Sequence, residues 1–243
     1  MDIEKLDLVN YDLLRFIEEA QVTDCENKFL LSFTLKINAY VESIRLLQTN
    51  KICFSNLLIE TRALVELYIV FYFLNIANEP KEREFRSLLW QINGLYDRQR
   101  IRKNSTPEME RILAKENTEI ECLQQKGMGM NYFQNIPLKS KAKIFSDYQT
   151  WRFDSTFPEN KVKLINFSSL LEKTDIATEN KDLYGLLSWH THSNYLSILQ
   201  MQQFSEEMSN TAISLCNTIA VIVVQHFMKN VCQMKGINFC QPR

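Results

Sequence analysis

The scarcity of glycine and proline restricts the fold of this chain more than any other feature of its sequence. Only 5 glycines and 5 prolines occur in 243 residues, whereas an all-β fold needs a turn residue every few positions. Long helices need far fewer such residues, and a chain of this length can bury one large core. Because no linker or internal repeat divides the sequence, we expect a single all-α domain over residues 1–243.

Helical periodicity and start signals predict a bundle of about seven long helices. Apolar residues recur three and four positions apart in the predicted helices, which cover residues 2–20, 25–48, 52–77, 80–102, 105–125, 178–201 and 205–234. Thr23 or Asp24 would cap the second of them and Ser105 or Thr106 the fifth, while Pro80 and Pro107 suit first helical turns. Segment 52–77 is apolar on nearly every side, so we expect it at the centre of the bundle.

The segment 127–163 differs from the rest of the chain. It contains two glycines and two prolines, and its aromatic residues are interspersed with lysines. We interpret it as an ordered, mostly irregular insertion that is packed by its own aromatic side chains, with one short helix near 140–150. A further short helix is predicted at 167–173, with Asn166 or Ser168 as its cap.

Composition and charge argue against several classes of protein. The net charge of -1 gives no overall field that would attract nucleic acid, so such binding would need a local basic patch. The six cysteines form no C-x-x-C pair, which is typical of reduced thiols in a cytosolic protein without a metal site or cofactor.

The acidic N-terminus does not resemble a secretory signal, and the apolar windows 64–77 and 211–224 are shorter than the ~20 residues of a membrane span. We therefore expect a cytoplasmic protein without a membrane partner.

The stretch "YGLLSWHTHSNYL" (184–196) holds two of the three histidines. Residues two apart on a helix point about 200° away from each other, so His190 and His192 cannot bind the same metal ion. One face of this helix presents Gly185, Ser188, His192 and Tyr195. Contact between Ser188 and His192 would suit a nucleophile and its base, although the chain has no G-x-S-x-G motif. Two interpretations stay open: a polar seam closed within the bundle, or a pocket in which His192 transfers protons or binds a ligand.

A second polar group, Arg62 and Glu66, lies in the apolar stretch "LLIETRALVELYIV". Their i, i+4 spacing predicts an ion pair on one helix, and charges in so apolar a helix need such a partner because they are costly to desolvate. The pair either joins this helix to a neighbour or lines a pocket in which Arg62 binds a phosphate or carboxylate.

A basic strip begins at the end of the fourth predicted helix. The stretch "YDRQRIRK" contains Arg98 and Arg100, and "PLKSKAKIF" adds three lysines. With the aromatic residues of the insertion, these side chains would contact a nucleic-acid backbone and stack on unpaired bases. A solvated helix end explains the same pattern, because basic residues in a last turn interact favourably with the helix dipole.

Two short motifs together resemble those of a known family. The first is Arg-x-x-x-Glu in a central apolar helix, and the second is Tyr-x-x-x-Ser-x-x-x-His late in the chain. The residues that match are Arg62, Glu66, Tyr184, Ser188 and His192. Over residues 25–230 the chain resembles a bacterial family of helical proteins of unknown function, related in style to abortive-infection and HEPN-like domains. The resemblance implies a role in defence or stress response and an action on RNA.

The chain departs from the HEPN pattern at one point. HEPN ribonucleases carry an arginine a few residues before a histidine on one helix. No arginine precedes His190, His192 or His226 at that spacing. An arginine from another helix, such as Arg62, would have to take its place.

Two hypotheses of different class follow. In the first, the protein is a bacterial defence or stress-response domain that acts on RNA or a nucleotide, with Arg62 and Glu66 facing Ser188 and His192. Further ligand-binding residues would be Tyr184, Tyr195, Arg98 and Arg100. In the second, it is a non-enzymatic interaction module whose buried polar residues are structural. The sequence does not decide whether the protein is an enzyme, and its apolar helices are compatible with a homodimer.

Overall fold

The structure is a computed structural model that describes residues 3–19, 25–49, 54–101, 106–146, 149–177, 184–185, 187–188 and 206–235. Throughout these ranges the regular secondary structure is helical, which confirms the prediction of an all-α fold. Within them, extended backbone pairs at one isolated antiparallel bridge, between Phe153 and Leu164.

The observed helices match the predicted ones to within a few residues. They are α1 (Ile3–Glu19), α2 (Cys25–Thr49), α3 (Phe54–Asn75), α4 (Pro80–Ile101), α5 (Pro107–Met128), α6 (Asn131–Gln134), α7 (Leu138–Ile144), α8 (Phe167–Leu171) and α9 (Glu206–Lys235). The long helix predicted at 178–201 falls mostly outside the described residues, although residues 184–185 and 187–188 are helical. The structure therefore confirms six of the seven predicted long helices and leaves the other untested.

Helix starts follow the capping rules that the sequence displays. The Thr106 hydroxyl accepts a hydrogen bond of 3.2 Å from the Met109 N–H, so Thr106 caps α5 as predicted. Asn166 Oδ1 accepts a bond of 2.7 Å from the Ser169 N–H and caps α8 in the same way. The two residues proposed as caps of α2 lie outside the described residues.

The insertion contains more helix than the sequence indicated. It includes α6, α7 and two 3-10 turns, Thr150–Arg152 and Pro158–Asn160. The short helix predicted near 140–150 instead begins after Pro137 and ends at Ile144. Its aromatic residues pack together as expected, because the Phe85 ring of α4 lies about 6 Å from the rings of Tyr132, Phe133, Phe145 and Phe153.

Gly127 is the first residue of the predicted irregular insertion but lies within the last turn of α5. A Cβ atom built at this position would come within 2.8 Å of the Phe145 ring and 3.1 Å of a methyl carbon of Leu88. The glycine is thus explained by close packing and not by a turn.

The chain divides into two compact units, residues 1–72 with 171–243 and residues 73–170. In the first, called unit 1, α1 packs against α2 and α9. The Phe71 ring of α3 lies 5.7 Å from Phe33 of α2 and 4.6 Å from Phe227 of α9, measured between ring centroids. Most apolar side chains of α3 are buried, as its composition predicted. The assignment of the whole chain to a single domain stays a prediction.

The second unit, called unit 2, is built around the buried guanidinium of Arg86 on α4. Only 1% of this residue is exposed, yet every edge of the guanidinium has a partner. Its Nε donates to Glu82 at 2.8 Å, Nη1 donates to the Trp151 carbonyl at 2.7 Å and Nη2 to the Phe153 carbonyl at 2.9 Å. The guanidinium carbon also lies 3.9 Å from the centre of the Phe153 ring. Burial lowers the pKa of Arg86, and the charge of Glu82 opposes that shift. Arg86 therefore fastens the insertion to α4.

Within the described residues, Asn210–Lys235 of α9 is long and apolar enough to cross a membrane, judged by length and composition alone. The most apolar 18-residue window of this segment has a mean hydropathy of 1.6, and 56% of that window is buried inside the fold. The buried core helix of a globular fold meets the same criteria. The cytoplasmic location inferred from the sequence stays a prediction.

We predict that Arg86→Ala lowers the free energy of unfolding by about 3–5 kcal/mol, because it leaves the Glu82 charge and two carbonyls of unit 2 without their donor. Arg86→Lys should cause a smaller loss, since an ammonium keeps the charge but cannot reach all three acceptors in one plane. Urea unfolding followed by the fluorescence of the buried Trp151 measures both. Arg111→Ala, at an exposed position on α5, is the control and should change stability by less than about 0.5 kcal/mol. An unchanged urea midpoint for Arg86→Ala would contradict this account.

Candidate functional site

The ion pair predicted on α3 is present, and it contacts a residue that lies far away in the sequence. Arg62 donates to Glu66 Oε1 from Nε at 2.9 Å and from Nη2 at 2.8 Å. The Tyr184 hydroxyl donates to the same oxygen at 2.9 Å, and its ring centre lies 5.7 Å from the guanidinium carbon of Arg62. We call these three residues of unit 1 the Arg62–Glu66–Tyr184 cluster.

The cluster is only partly shielded from solvent. The Arg62 and Glu66 side chains are 14% and 30% exposed, whereas Tyr184 is buried. Burial, followed by the charge of Glu66 and the hydrogen bond to it, raises the pKa of Tyr184 to about 12, and Arg62 opposes the shift. Tyr184 therefore remains a neutral donor at physiological pH. The arrangement places a fixed guanidinium beside a phenol and a carboxylate. The guanidinium can bind an anion, and the phenol and carboxylate can form hydrogen bonds.

The structure describes only some of the other residues predicted for this site. Ser188 is helical and half-buried, one turn after Tyr184, and residues four apart share a helix face. His192 and Tyr195 lie outside the described residues. The structure thus brings Arg62, Glu66 and Tyr184 together, while the meeting of His192 with this cluster stays a prediction.

The two arginines of the basic strip lie in unit 2 and have different surroundings. Arg98 pairs with the buried carboxylate of Glu116 on α5 at 2.6 Å. Arg100 has a mostly exposed side chain, and its Nη1 lies 3.7 Å from Asp97 Oδ1. Arg98 consequently links α4 to α5, whereas Arg100 points its charge toward solvent beside a surface cavity.

A second polar network in unit 1 was missed by the sequence analysis. The Asp175 carboxylate accepts hydrogen bonds from the Tyr68 hydroxyl and, at 3.0 Å, from Asn230 Nδ2. The Nδ1 atom of His226 lies 2.9 Å from Asp175 Oδ2, and Asn230 also donates to the Tyr68 oxygen at 2.9 Å. Asn230 and His226 interrupt the apolar pattern of α9, and that interruption was the available signal. Nothing in the sequence around Asp175 indicated that it would meet them.

Electrostatics show that this network holds Asp175 ionised. Burial raises the pKa of Asp175, but the hydrogen bonds from Tyr68, His226 and Asn230 outweigh burial, and the net pKa is lowered. Burial and the neighbouring Asp175 carboxylate together raise the pKa of Tyr68. An ionised carboxylate surrounded by donors from α3 and α9 joins these helices to the segment that carries Asp175.

Potential metal ligands and thiols occur in the part of the chain that the structure describes. No group of three or more His, Cys, Asp and Glu side chains there is arranged to hold a metal ion. Cys122, Cys216 and Cys232 are free thiols. Burial raises the pKa of the Cys216 thiol to about 11, and a hydrogen bond with Thr61 opposes the shift, so this thiol stays protonated and unreactive.

The fold and the cluster define an all-helical protein with a partly buried arginine–glutamate–tyrosine site. DUF5677, a family of unknown function, matches residues 27–209, and because this match covers more than half of the chain, the protein belongs to that family. The match spans both motifs on which the sequence-based resemblance rested. It confirms membership of a helical family of unknown function but carries no link to HEPN-like or abortive-infection domains. No curated protein and no solved structure matches the chain significantly.

We predict that Tyr184→Phe lowers the free energy of unfolding by about 1 kcal/mol. A hydrogen bond to a charged acceptor contributes about 1.5–3 kcal/mol, but solvent reaches Glu66 and reduces the effect. Thermal and urea unfolding measure the change. Tyr11→Phe removes the same atom from an exposed tyrosine on α1 and should have no measurable effect. Equal losses in the two variants would contradict the assigned hydrogen bond.

We further predict that Asp175→Asn is destabilising at pH 7 and progressively less so in acid. A carboxyl group whose pKa is lower in the folded state stabilises the fold above its unfolded pKa of about 3.9. That contribution disappears as the pH falls through the lower folded value. Melting temperatures of wild type and Asp175→Asn should therefore converge below about pH 4. Asp12→Asn removes a carboxylate of α1 outside the network and controls for the loss of one charge. A gap that widens in acid would contradict the lowered pKa.

Proposed function

We propose that the protein acts on RNA or a nucleotide at a polar site in unit 1, formed by the Arg62–Glu66–Tyr184 cluster with Ser188 and His192. The hydrogen bond from the Tyr184 hydroxyl to Glu66 carries the proposal. It brings the first residue of the Tyr-x-x-x-Ser-x-x-x-His motif to the Arg-x-x-x-Glu pair. One residue from each of two motifs, more than a hundred residues apart in the sequence, thereby meet, and we propose that Ser188 and His192 join them.

Each residue has a distinct role in this proposal. Arg62 binds the phosphate, since a guanidinium matches an anionic oxygen pair and is held in a fixed orientation by Glu66. Tyr184 fixes Glu66 and positions its own helix. His192 is the proton-transfer group because an imidazole titrates near neutral pH. Ser188, on the same helix face, orients the imidazole or the ligand.

The biological role that we propose is bacterial defence or stress response, with the protein active in the cytoplasm. Support comes from the two motifs and the all-helical fold, which resemble those of abortive-infection and HEPN-like domains. The missing Arg–His spacing on one helix would be compensated by Arg62, supplied from α3.

A non-enzymatic interaction module is the second candidate, and one observation favours it. Among the described residues, Glu66 accepts two hydrogen bonds from Arg62 of the same helix and one from Tyr184, so the cluster stabilises the fold even without a ligand. In that case, recognition of a partner would lie on the surface, and the cluster would keep the helices in register.

We predict that His192→Ala loses at least about a hundredfold of any RNA-cleaving activity, because removal of a general acid or base has effects of that size or larger. Purified wild type and variant would be incubated with labelled single-stranded RNA, and the products resolved on a gel. Arg62→Lys, which retains the charge but loses the two-pronged geometry, should weaken nucleotide binding measured by calorimetry.

Arg45→Ala is the matched control, because it removes an arginine from a partly exposed ion pair on α2 of the same unit. Melting temperature reports on folding in every variant. Equal cleavage by wild type and His192→Ala would rule out the catalytic role. A large fall in melting temperature for Arg62→Lys without any change in binding would establish the structural alternative.

A further inference from the structure

A surface cavity lies at the C-terminal end of α4. It belongs to unit 2, and none of its lining residues is part of the Arg62–Glu66–Tyr184 cluster. Its volume is about 660 Å³, and Tyr96, Gln99, Arg100 and Ser146 line it. Pockets that bind small molecules commonly measure about 300–1,000 Å³ and combine apolar surface with a few polar groups. The volume of this cavity is therefore within the range of ligand sites, and its lining combines one aromatic ring with polar groups.

Two of the lining side chains are held in place by α5. The Tyr96 hydroxyl accepts a hydrogen bond of 3.2 Å from Gln124 Nε2. Gln99 Nε2 donates to Asn117 Oδ1 at 2.9 Å. Because these two side chains are already ordered, they lose little rotamer freedom when a ligand contacts them, and that preorganisation favours binding.

The third lining residue supplies a positive charge that faces solvent. The Arg100 side chain is 67% exposed, and its Nη1 lies 3.7 Å from Asp97 Oδ1. Ion pairs with this much exposure are weak. A phosphate that meets the guanidinium in two-pronged geometry gains a stronger, charge-assisted contact. Arg98 does not compete for the phosphate because it is engaged with Glu116.

We propose that this cavity binds a nucleoside phosphate, with the base stacked on Tyr96 and the phosphate paired with Arg100. Gln99 and Ser146 then hydrogen-bond the base edge or the ribose. An aromatic platform beside an amide and a guanidinium is the combination with which proteins hold unpaired nucleotides. The same chemistry recognises a free nucleotide and one unit of a single-stranded RNA. This binding site goes beyond the proposed catalytic site and does not depend on it.

The test compares two probes, AMP by calorimetry and a fluorescein-labelled ten-nucleotide single-stranded RNA by anisotropy. Wild type should bind at least one of them. Tyr96→Ala and Arg100→Glu should each weaken that binding about tenfold or more. Tyr96→Phe keeps the stacking ring and should bind as wild type does. Arg111→Glu reverses an exposed charge on α5, outside the cavity lining, and is the matched control for charge.

The pattern of results identifies the source of the ligand. Binding of AMP alone supports a free nucleotide as the occupant, and binding of the oligonucleotide alone or of both supports an RNA strand. The proposal is overturned if wild type binds neither probe, or if Arg100→Glu binds as tightly as wild type. Because Arg100 is exposed, its substitution tests the site even if Tyr96→Ala fails to fold. Failure of the catalytic proposal would appear as unchanged RNA cleavage by His192→Ala, and failure of this proposal as unchanged affinity of Arg100→Glu, so the two failures give different results.

Discussion

The Glu66 carboxylate is the acceptor on which the candidate site depends. One oxygen of this group receives two N–H donors from Arg62 and the hydroxyl of Tyr184. The surrounding helix is almost wholly apolar, and a charge in such a helix persists only where neighbouring donors replace the lost water. The contacts that stabilise the Glu66 charge within α3 therefore also fix the position of the helical residues around Tyr184.

Two arginine–glutamate pairs at i, i+4 spacing have different structural roles in this molecule. In unit 2, Arg86 uses two of its nitrogen atoms for backbone carbonyls of the insertion, and the result is a closed, nearly inaccessible anchor. In unit 1, Arg62 meets a phenol side chain and keeps contact with solvent. Identical spacing thus predicts the ion pair but not its use, which depends on what the rest of the chain brings to the guanidinium.

Whether an interaction could be predicted from the sequence depends on how far apart its residues lie along the chain. Helix limits, the Thr106 and Asn166 caps and the Arg62–Glu66 pair all depend on residues within one turn, so local patterns were sufficient to predict them. The carbonyl partners of Arg86 and the partners of Asp175 are contributed by segments more than fifty residues away, and no periodicity encodes such contacts. The contact of Tyr184 with Glu66 was indicated only because two separate motifs resembled those of one family.

The close approach of the Phe145 ring to Gly127 has an evolutionary consequence. The space that a side chain at position 127 would need is already occupied by the ring from position 145. The two positions therefore share one volume, and a larger residue at the first requires a smaller one at the second. Among homologous chains, these positions should vary together and not independently. A paired change of this kind would mark relatives in which the insertion packs against α5 in the same way.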